Sequence, residues 1–144
     1  MKNVAMMNSY LSDLVVFYLK LHDLHWNVQG PQFVPVHLYT ESRYEDMAGK
    51  FDEIAELVLQ HGEKPVSSIS DYVKLASIQE LNKGSYRDEE VLKILFDDMS
   101  LLKDEAIKLR AEMDAEDLFD VVAALEAHVA GYNKELWFLR SMMA

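Results

Sequence analysis

The sequence predicts an all-α protein: four long helices in a bundle, with a short extra helix in a long crossover between the second and third. Half of the 144 residues are hydrophobic, yet the chain holds only 5 Gly and 3 Pro, a balance that favours long helices over many turns. The apolar residues recur at threes and fours, the helical period rather than the alternation of a strand. Gly30-Pro31 and Gly62 with Pro65 cut the chain where helices would end. Residues 1–144 read as one domain, large enough for a substantial core.

The first helix runs from about Val4 to Val28, carried by Met7, Leu11, Leu14, Val15, Tyr18, Leu21, His22 and His25. Gly30 suits its C-terminal cap and Pro31 cannot continue it. The second begins near Pro35, which a first turn tolerates, and continues through Tyr44, Met47, Phe51, Ile54, Val58 and Leu59. Between Gly62 and Ser85 the connection is too long for a hairpin. Within it, Ser68-Ile69-Ser70-Asp71 reads as a capping box opening a short helix. Such crossovers join parallel neighbours in four-helix bundles, so the order is up-down-down-up. Ser85-Tyr86-Arg87-Asp88 is a second capping signal. It opens a third helix carrying Val91, Leu95, Met99, Leu102, Ala106, Leu109 and Met113. An acidic joint, Asp114-Ala115-Glu116-Asp117, leads to a fourth with Leu118, Val121, Leu125, Val129, Tyr132, Leu136 and Leu139. Trp137 is read as core.

Composition also excludes some chemistry. There is no Cys, hence no disulfide framework and no thiolate site. No run of 18 or more apolar residues suggests a membrane span, and no charged segment leads into an apolar one at the N-terminus. The expectation is a cytoplasmic protein. Net charge is −11, which repels phosphate backbones and attracts cations. With only Met1-Lys2-Asn3 ahead of the first helix, no basic arm is available to grip DNA.

The residues best suited to chemistry are imidazoles and carboxylates in the first 56 positions. His22 and His25 close the first helix, His37 and Glu41 open the second, and Asp52 with Glu56 lies further along it. At about 100° per residue, positions 37, 41, 52 and 56 fall at roughly 0°, 40°, 60° and 100°, one stripe on one face. Glu41 and Asp52 are nonetheless about 16 Å apart along the axis, too far to share an ion. An intrachain di-iron centre of the large ferritins needs Glu-x-x-His on two helices. No His here has Glu three residues before it. Two-fold symmetry offers another solution: a second helix antiparallel to its own copy brings the 37/41 end of one chain to the 52/56 end of the other. Imidazole and carboxylate without thiol suit iron and related ions. Taken singly, each of these acids also reads as an ordinary solvated helix charge, and His25 as a core histidine.

His25-Trp26-Asn27-Val28-Gln29-Gly30-Pro31, Phe33, His37, Glu41, Tyr44, Asp52-Glu53-Ile54-Ala55-Glu56, Gly62 and Pro65 resemble the Dps family, the mini-ferritins named for DNA protection during starvation. Tyr72 to Glu80 is similar to the family's crossover helix, and Lys134-Glu135-Leu136-Trp137-Phe138-Leu139 to its last helix. The resemblance implies a ferritin-like bundle, two-fold dimers assembled into a hollow dodecamer, and ferroxidase centres at the two-fold interfaces. His25, His37 and Glu41 of one subunit would face Asp52 and Glu56 of its mate. Glu41 keeps, with a longer reach, a carboxylate that is Asp in many relatives. Trp26 and His22 would lie near the site, Trp26 to intercept oxidising equivalents or to pack the interface. The family also admits ferrous iron through acidic three-fold pores, for which Asp114, Glu116, Asp117 and Asp120 are the regional candidates. Helix capping and dipole complementation account for these four acids equally well.

The expected activity is oxidation of Fe(II) by hydrogen peroxide or dioxygen, storage of Fe(III) as mineral in the cage, and protection from oxidative damage. An alternative is a DNA-compacting protein with a weak or vestigial metal site, which the acidic charge and missing basic tails argue against. A third is a bundle with a purely structural role.

Overall fold

The computed structural model describes residues 1–144, and its helices follow from where the apolar stripes begin and end. α1 spans Val4–Asn27, α2 Phe33–Gln60, α3 Ile69–Leu75, α4 Asp88–Ala115 and α5 Phe119–Met143. On α1, Met7, Leu11, Leu14, Phe17, Leu21 and Leu24 are fully buried at helical spacing; on α4, Val91, Leu95, Met99, Leu102, Ala106, Leu109 and Met113 repeat the pattern. Each Leu of this kind contributes about 1.5–3 kcal/mol of transfer free energy. One continuous cluster of 30 buried apolar residues joins the four long helices. No helix is long and apolar enough to cross a membrane.

The order is up-down-down-up. Lys2 N–H donates to Glu116 Oε1 at 2.8 Å, so the start of α1 meets the end of α4. At the other end, β1 (Val28–Gln29) pairs in parallel with β2 (Tyr86–Arg87), Val28 opposite Tyr86. α2 runs against α5, with Arg43 Nη1 3.5 Å from Glu135 and His61 Nε2 3.0 Å from Asp120. In the crossover, Ser68 caps α3 by accepting from Asp71 N–H.

Three local details differ from the sequence reading. The β1–β2 pair was not foreseen, because two residues per strand carry no alternation to read. The third long helix starts at Asp88 rather than Ser85, since Tyr86 and Arg87 are held extended by β1; Asp88 itself accepts the Glu89 N–H at 2.8 Å. Trp137 is not core but 56% exposed. The buried stripe of α5 runs through Tyr132, Leu136 and Leu139, and position 137, about 100° round from 136, falls outside it. Its indole lies edge-on to Phe138.

Asp13 anchors the crossover. Fully buried on α1, it accepts the Ser77 and Ile78 N–H groups through Oδ1 at 2.7 and 2.8 Å. Its Oδ2 and Glu105 Oε1 of α4 have no other partner; one proton shared between the two carboxyls satisfies both. Burial first, and Asp13 next, push the Glu105 carboxyl up from 4.5 to about 9. The folded chain therefore holds a proton that the unfolded chain releases, so this contribution is complete below about 4.5 and fades as pH rises towards 9. Thermal unfolding followed by circular dichroism is expected to show a midpoint that falls across this range. In Glu105→Gln, which keeps the hydrogen bond without a proton to lose, the fall is expected to be smaller.

Candidate metal centre

Where α1 passes into α2, the turn Val28 to Gln32 brings the two helix ends side by side. Gly30 sits at φ +133°, a backbone state L side chains rarely adopt, and a Cβ there would lie 2.5 Å from Asp88 Oδ2. Asp88 fills that space because it accepts Gln32 N–H at 2.8 Å, tying the turn to the start of α4. This bond from Gln32, with the Glu89 N–H, outweighs burial and holds the Asp88 carboxyl below its usual range.

His25, in the last turn of α1, is 6% exposed; His37, in the second turn of α2, is half-buried. Their rings stack at 3.7 Å between centroids and 13° between planes. His25 Nδ1 lies 2.7 Å from the His37 carbonyl, and His37 Nδ1 lies 2.8 Å from the His25 carbonyl. A carbonyl only accepts, so both Nδ1 atoms carry hydrogen and donate. In the neutral form of each ring this leaves the lone pair on Nε2, the arrangement that orients a metal-binding histidine. Thr40 Oγ1, anchored on the Val36 and His37 carbonyls, stands 3.1 Å from His25 Nδ1. Phe33 stacks on His37 at 5.0 Å.

One turn beyond His37, Glu41 Oε1 accepts from the Tyr44 hydroxyl at 3.5 Å. Desolvation first, then Glu41, raise the Tyr44 phenol above its ordinary range. Tyr44 stacks on His22 at 3.9 Å and meets His25 edge-on at 5.3 Å. His22 Nδ1 donates to the Tyr18 carbonyl at 2.9 Å, so it packs beside the imidazole pair. Trp26 points outward, 66% exposed, with its ring 5.5 Å from His22.

Asp52 and Glu56 are exposed further along α2. With Glu53, Gln60, Asp120 and the small Ala123, Ala124 and Ala127 they border an open groove of about 530 Å³ between α2 and α5. Within the single chain no three His, Asp or Glu side chains converge as a metal site. The fold brings His25 and His37 together, sets Glu41 one turn away, and leaves Asp52 and Glu56 apart from them.

Of the acids at the α4–α5 joint, Asp114 pairs with Arg110 at 3.5 Å, Glu116 accepts from Lys2 N–H, and Asp120 accepts from Val121 N–H and faces His61. Asp117 takes the left-handed φ of +56° in the turn. They have separate local roles in the chain. Sequence reasoning missed Thr40, and read Asp88 only within a capping signal, not as the acceptor of Gln32 N–H. A polar residue three positions after His37, on its buried side, was the signal for the first; a contact across 56 residues to a backbone N–H left none for the second.

A model of the ferritin-like domain matches residues 4–144. Over 144 residues, covering all of both chains, the sequence is 31% identical to the DNA protection during starvation protein of Helicobacter pylori. The chain belongs to the Dps branch of the ferritin-like family. The Dps crystal structure from Bacillus brevis has 32% identity and a TM-score of 0.94, covering 99% of this chain and 96% of its own. A Vibrio cholerae Dps, described as a member of a broad superfamily of ferritin-like diiron-carboxylate proteins, has 27% identity and a TM-score of 0.94, covering 99% and 90%. This Dps chain thus shares the family's four-helix bundle across its whole length.

Gly30→Ala is expected to destabilise the fold by about 1–3 kcal/mol through backbone strain alone, with a further loss from displacing Asp88. Urea unfolding at neutral pH measures both, and Asp88→Ala should recover only the second.

Proposed function

We propose that this chain oxidises Fe(II) with hydrogen peroxide, or dioxygen, at centres shared by two subunits, and stores the Fe(III) as mineral inside a dodecameric cage in the cytoplasm. The observation that carries this is the reciprocal His25–His37 pair. Two buried or half-buried imidazoles with both Nδ1 atoms committed to carbonyls present Nε2 lone pairs, and nothing else in the chain uses them. Iron is accordingly read as substrate and cargo. His25 and His37 hold an incoming ion, Glu41 adds negative charge, and the partner subunit's Asp52 and the partner subunit's Glu56 complete the set. The stripe of α2 on which positions 37, 41, 52 and 56 lie supports an antiparallel two-fold pairing of that helix.

Exposed apolar side chains support the dimer as well. Leu19 and Trp26 on α1 and Ile69 and Val73 on α3 are exposed apolar side chains that a partner subunit would cover. Two ferrous ions together supply the two electrons that take peroxide to water, which avoids the one-electron cleavage that frees hydroxyl radical. Carboxylates favour the product by stabilising the added ferric charge, while the locked imidazoles keep the ion in place. Protection from oxidative damage follows from this stoichiometry. Relatives are named for DNA protection, but a net charge of −11 opposes direct contact with phosphates. Metal-free protein is expected to give no shift of duplex DNA in a gel at physiological salt; tight, salt-sensitive retardation would favour the DNA-compacting reading.

His37→Ala and Asp52→Ala are each expected to slow peroxide-driven iron oxidation by about tenfold or more, followed by stopped-flow absorbance. The two inactive variants, unfolded and reassembled together, regenerate intact centres in mixed dimers. Random pairing restores about a quarter of the wild-type centres. No recovery would mean that the ligands belong to one chain.

A further inference from the structure

The interior of the bundle holds a second polar chain that the chemistry above leaves unused. Tyr10 of α1 and Tyr132 of α5 are each 1% exposed, with hydroxyl oxygens 2.6 Å apart. The Tyr10 hydroxyl is also 2.9 Å from His128 Nδ1, and His128 Nε2 is 2.6 Å from Glu53 Oε1. Chemistry fixes the direction of these bonds. The Glu53 carboxylate only accepts, so Nε2 carries hydrogen. Burial, against the pull of Glu53, lowers the His128 pKa; the ring is neutral and its Nδ1 accepts. Tyr10 therefore donates to His128, and Tyr132 donates to Tyr10.

The two phenols are not equivalent. Lys50 Nζ lies 5.5 Å from the centroid of the Tyr132 ring, and a cation over the ring face disfavours loss of an electron there. Tyr10 instead has a base in hydrogen-bond contact with its proton. Burial raises both phenols far above their usual range, so neither ionises unaided. At its far end the chain reaches α2 at Glu53, which borders the same groove as Asp52 and Glu56.

We propose that Tyr10 is a redox-active side chain that gives one electron to hydroxyl radical formed at this groove, with His128 as its proton acceptor and Tyr132 as a positioning residue. The source of the radical is a centre that holds only one Fe(II): without the second electron, that ion cleaves peroxide beside Asp52 and Glu56 to hydroxide and hydroxyl radical, a leak that rests on the function proposed above. The Tyr10 ring loses an electron as its O–H bond breaks, and the proton passes to His128 Nδ1. The imidazolium so formed stays paired with the Glu53 carboxylate. Hydroxyl radical takes the electron and a proton from solvent to become water. The tyrosyl oxygen keeps the hydrogen bond from Tyr132. A second electron, from another ferrous ion, and the proton held on His128 then restore the phenol.

The test is electron paramagnetic resonance on ferrous-loaded protein mixed with peroxide and frozen within milliseconds. Wild type is expected to give the doublet of a neutral tyrosyl radical. Tyr10→Phe loses it; Tyr132→Phe keeps it with a raised g1, because the radical has lost one of its two hydrogen bonds and retains that from His128; His128→Gln lowers its yield while Tyr10 remains. 3,5-Difluorotyrosine placed at position 10 alone, which preserves the shape of the core, adds fluorine splitting that assigns the radical if Tyr10→Phe does not assemble. A doublet unchanged by Tyr10→Phe, or a g1 unmoved by Tyr132→Phe, overturns the proposal. The rate of iron oxidation in Asp52→Ala judges the centre separately. A full Tyr10 signal where that rate has collapsed overturns the link between groove and tyrosine.

Discussion

Two hydrogen bonds, each from an imidazole to the other residue's carbonyl, close the end of the bundle where α1 gives way to α2. They set the relative height of these helices, since His25 and His37 can reach one another's backbone at only one alignment. The same bonds decide which ring nitrogen remains available. With Nδ1 of each ring bonded to a carbonyl, the protein's own backbone orients both imidazoles. Around this point the rest of the turn is over-determined: Gly30 supplies a backbone state other residues resist, Asp88 takes the space a side chain would fill, and β1–β2 ties both to the start of α4.

Elsewhere the interior is less oily than the apolar stripes suggest. Asp13, Lys20, His128 and Glu135 are all buried, and each has a partner on another element. Asp13 meets the crossover and Glu105; Lys20 pairs with Asp98 at 2.7 Å; His128 joins Tyr10 to Glu53; Glu135 faces Arg43. Each contact fixes the height of one helix against another, which apolar packing alone specifies less sharply, because hydrophobic attraction is not directional. Removing one member leaves the other buried and unsatisfied, so these pairs work against sliding of the helices.

The fold was largely legible because its signals are local. Period and punctuation give helix number, order and approximate ends, and the capping residue of α3 was visible as Ser68. Signals that act across distance were not. Asp88 reaches Gln32 from 56 residues away, the β1–β2 pair is too short to show alternation, and Trp137 falls on the outer side of α5 between the buried Leu136 and the half-buried Phe138. At the candidate centre, the spacing of positions 37, 41, 52 and 56 gave the shared stripe, while the bonds from Nδ1 that prepare His25 and His37 needed three-dimensional placement. Tyr10 lies 118 and 122 positions from the His128 and Tyr132 that it bonds, so their meeting left no trace in spacing.

Both tryptophans of the chain, Trp26 and Trp137, look outward, although indoles ordinarily rank among the well-covered side chains. Unfolding a lone chain therefore changes their surroundings little. Whatever settles over them removes water from the ring and shifts its emission to the blue. Intrinsic fluorescence of this protein is thus a report on contact between molecules, and a poor one on whether the bundle itself is folded.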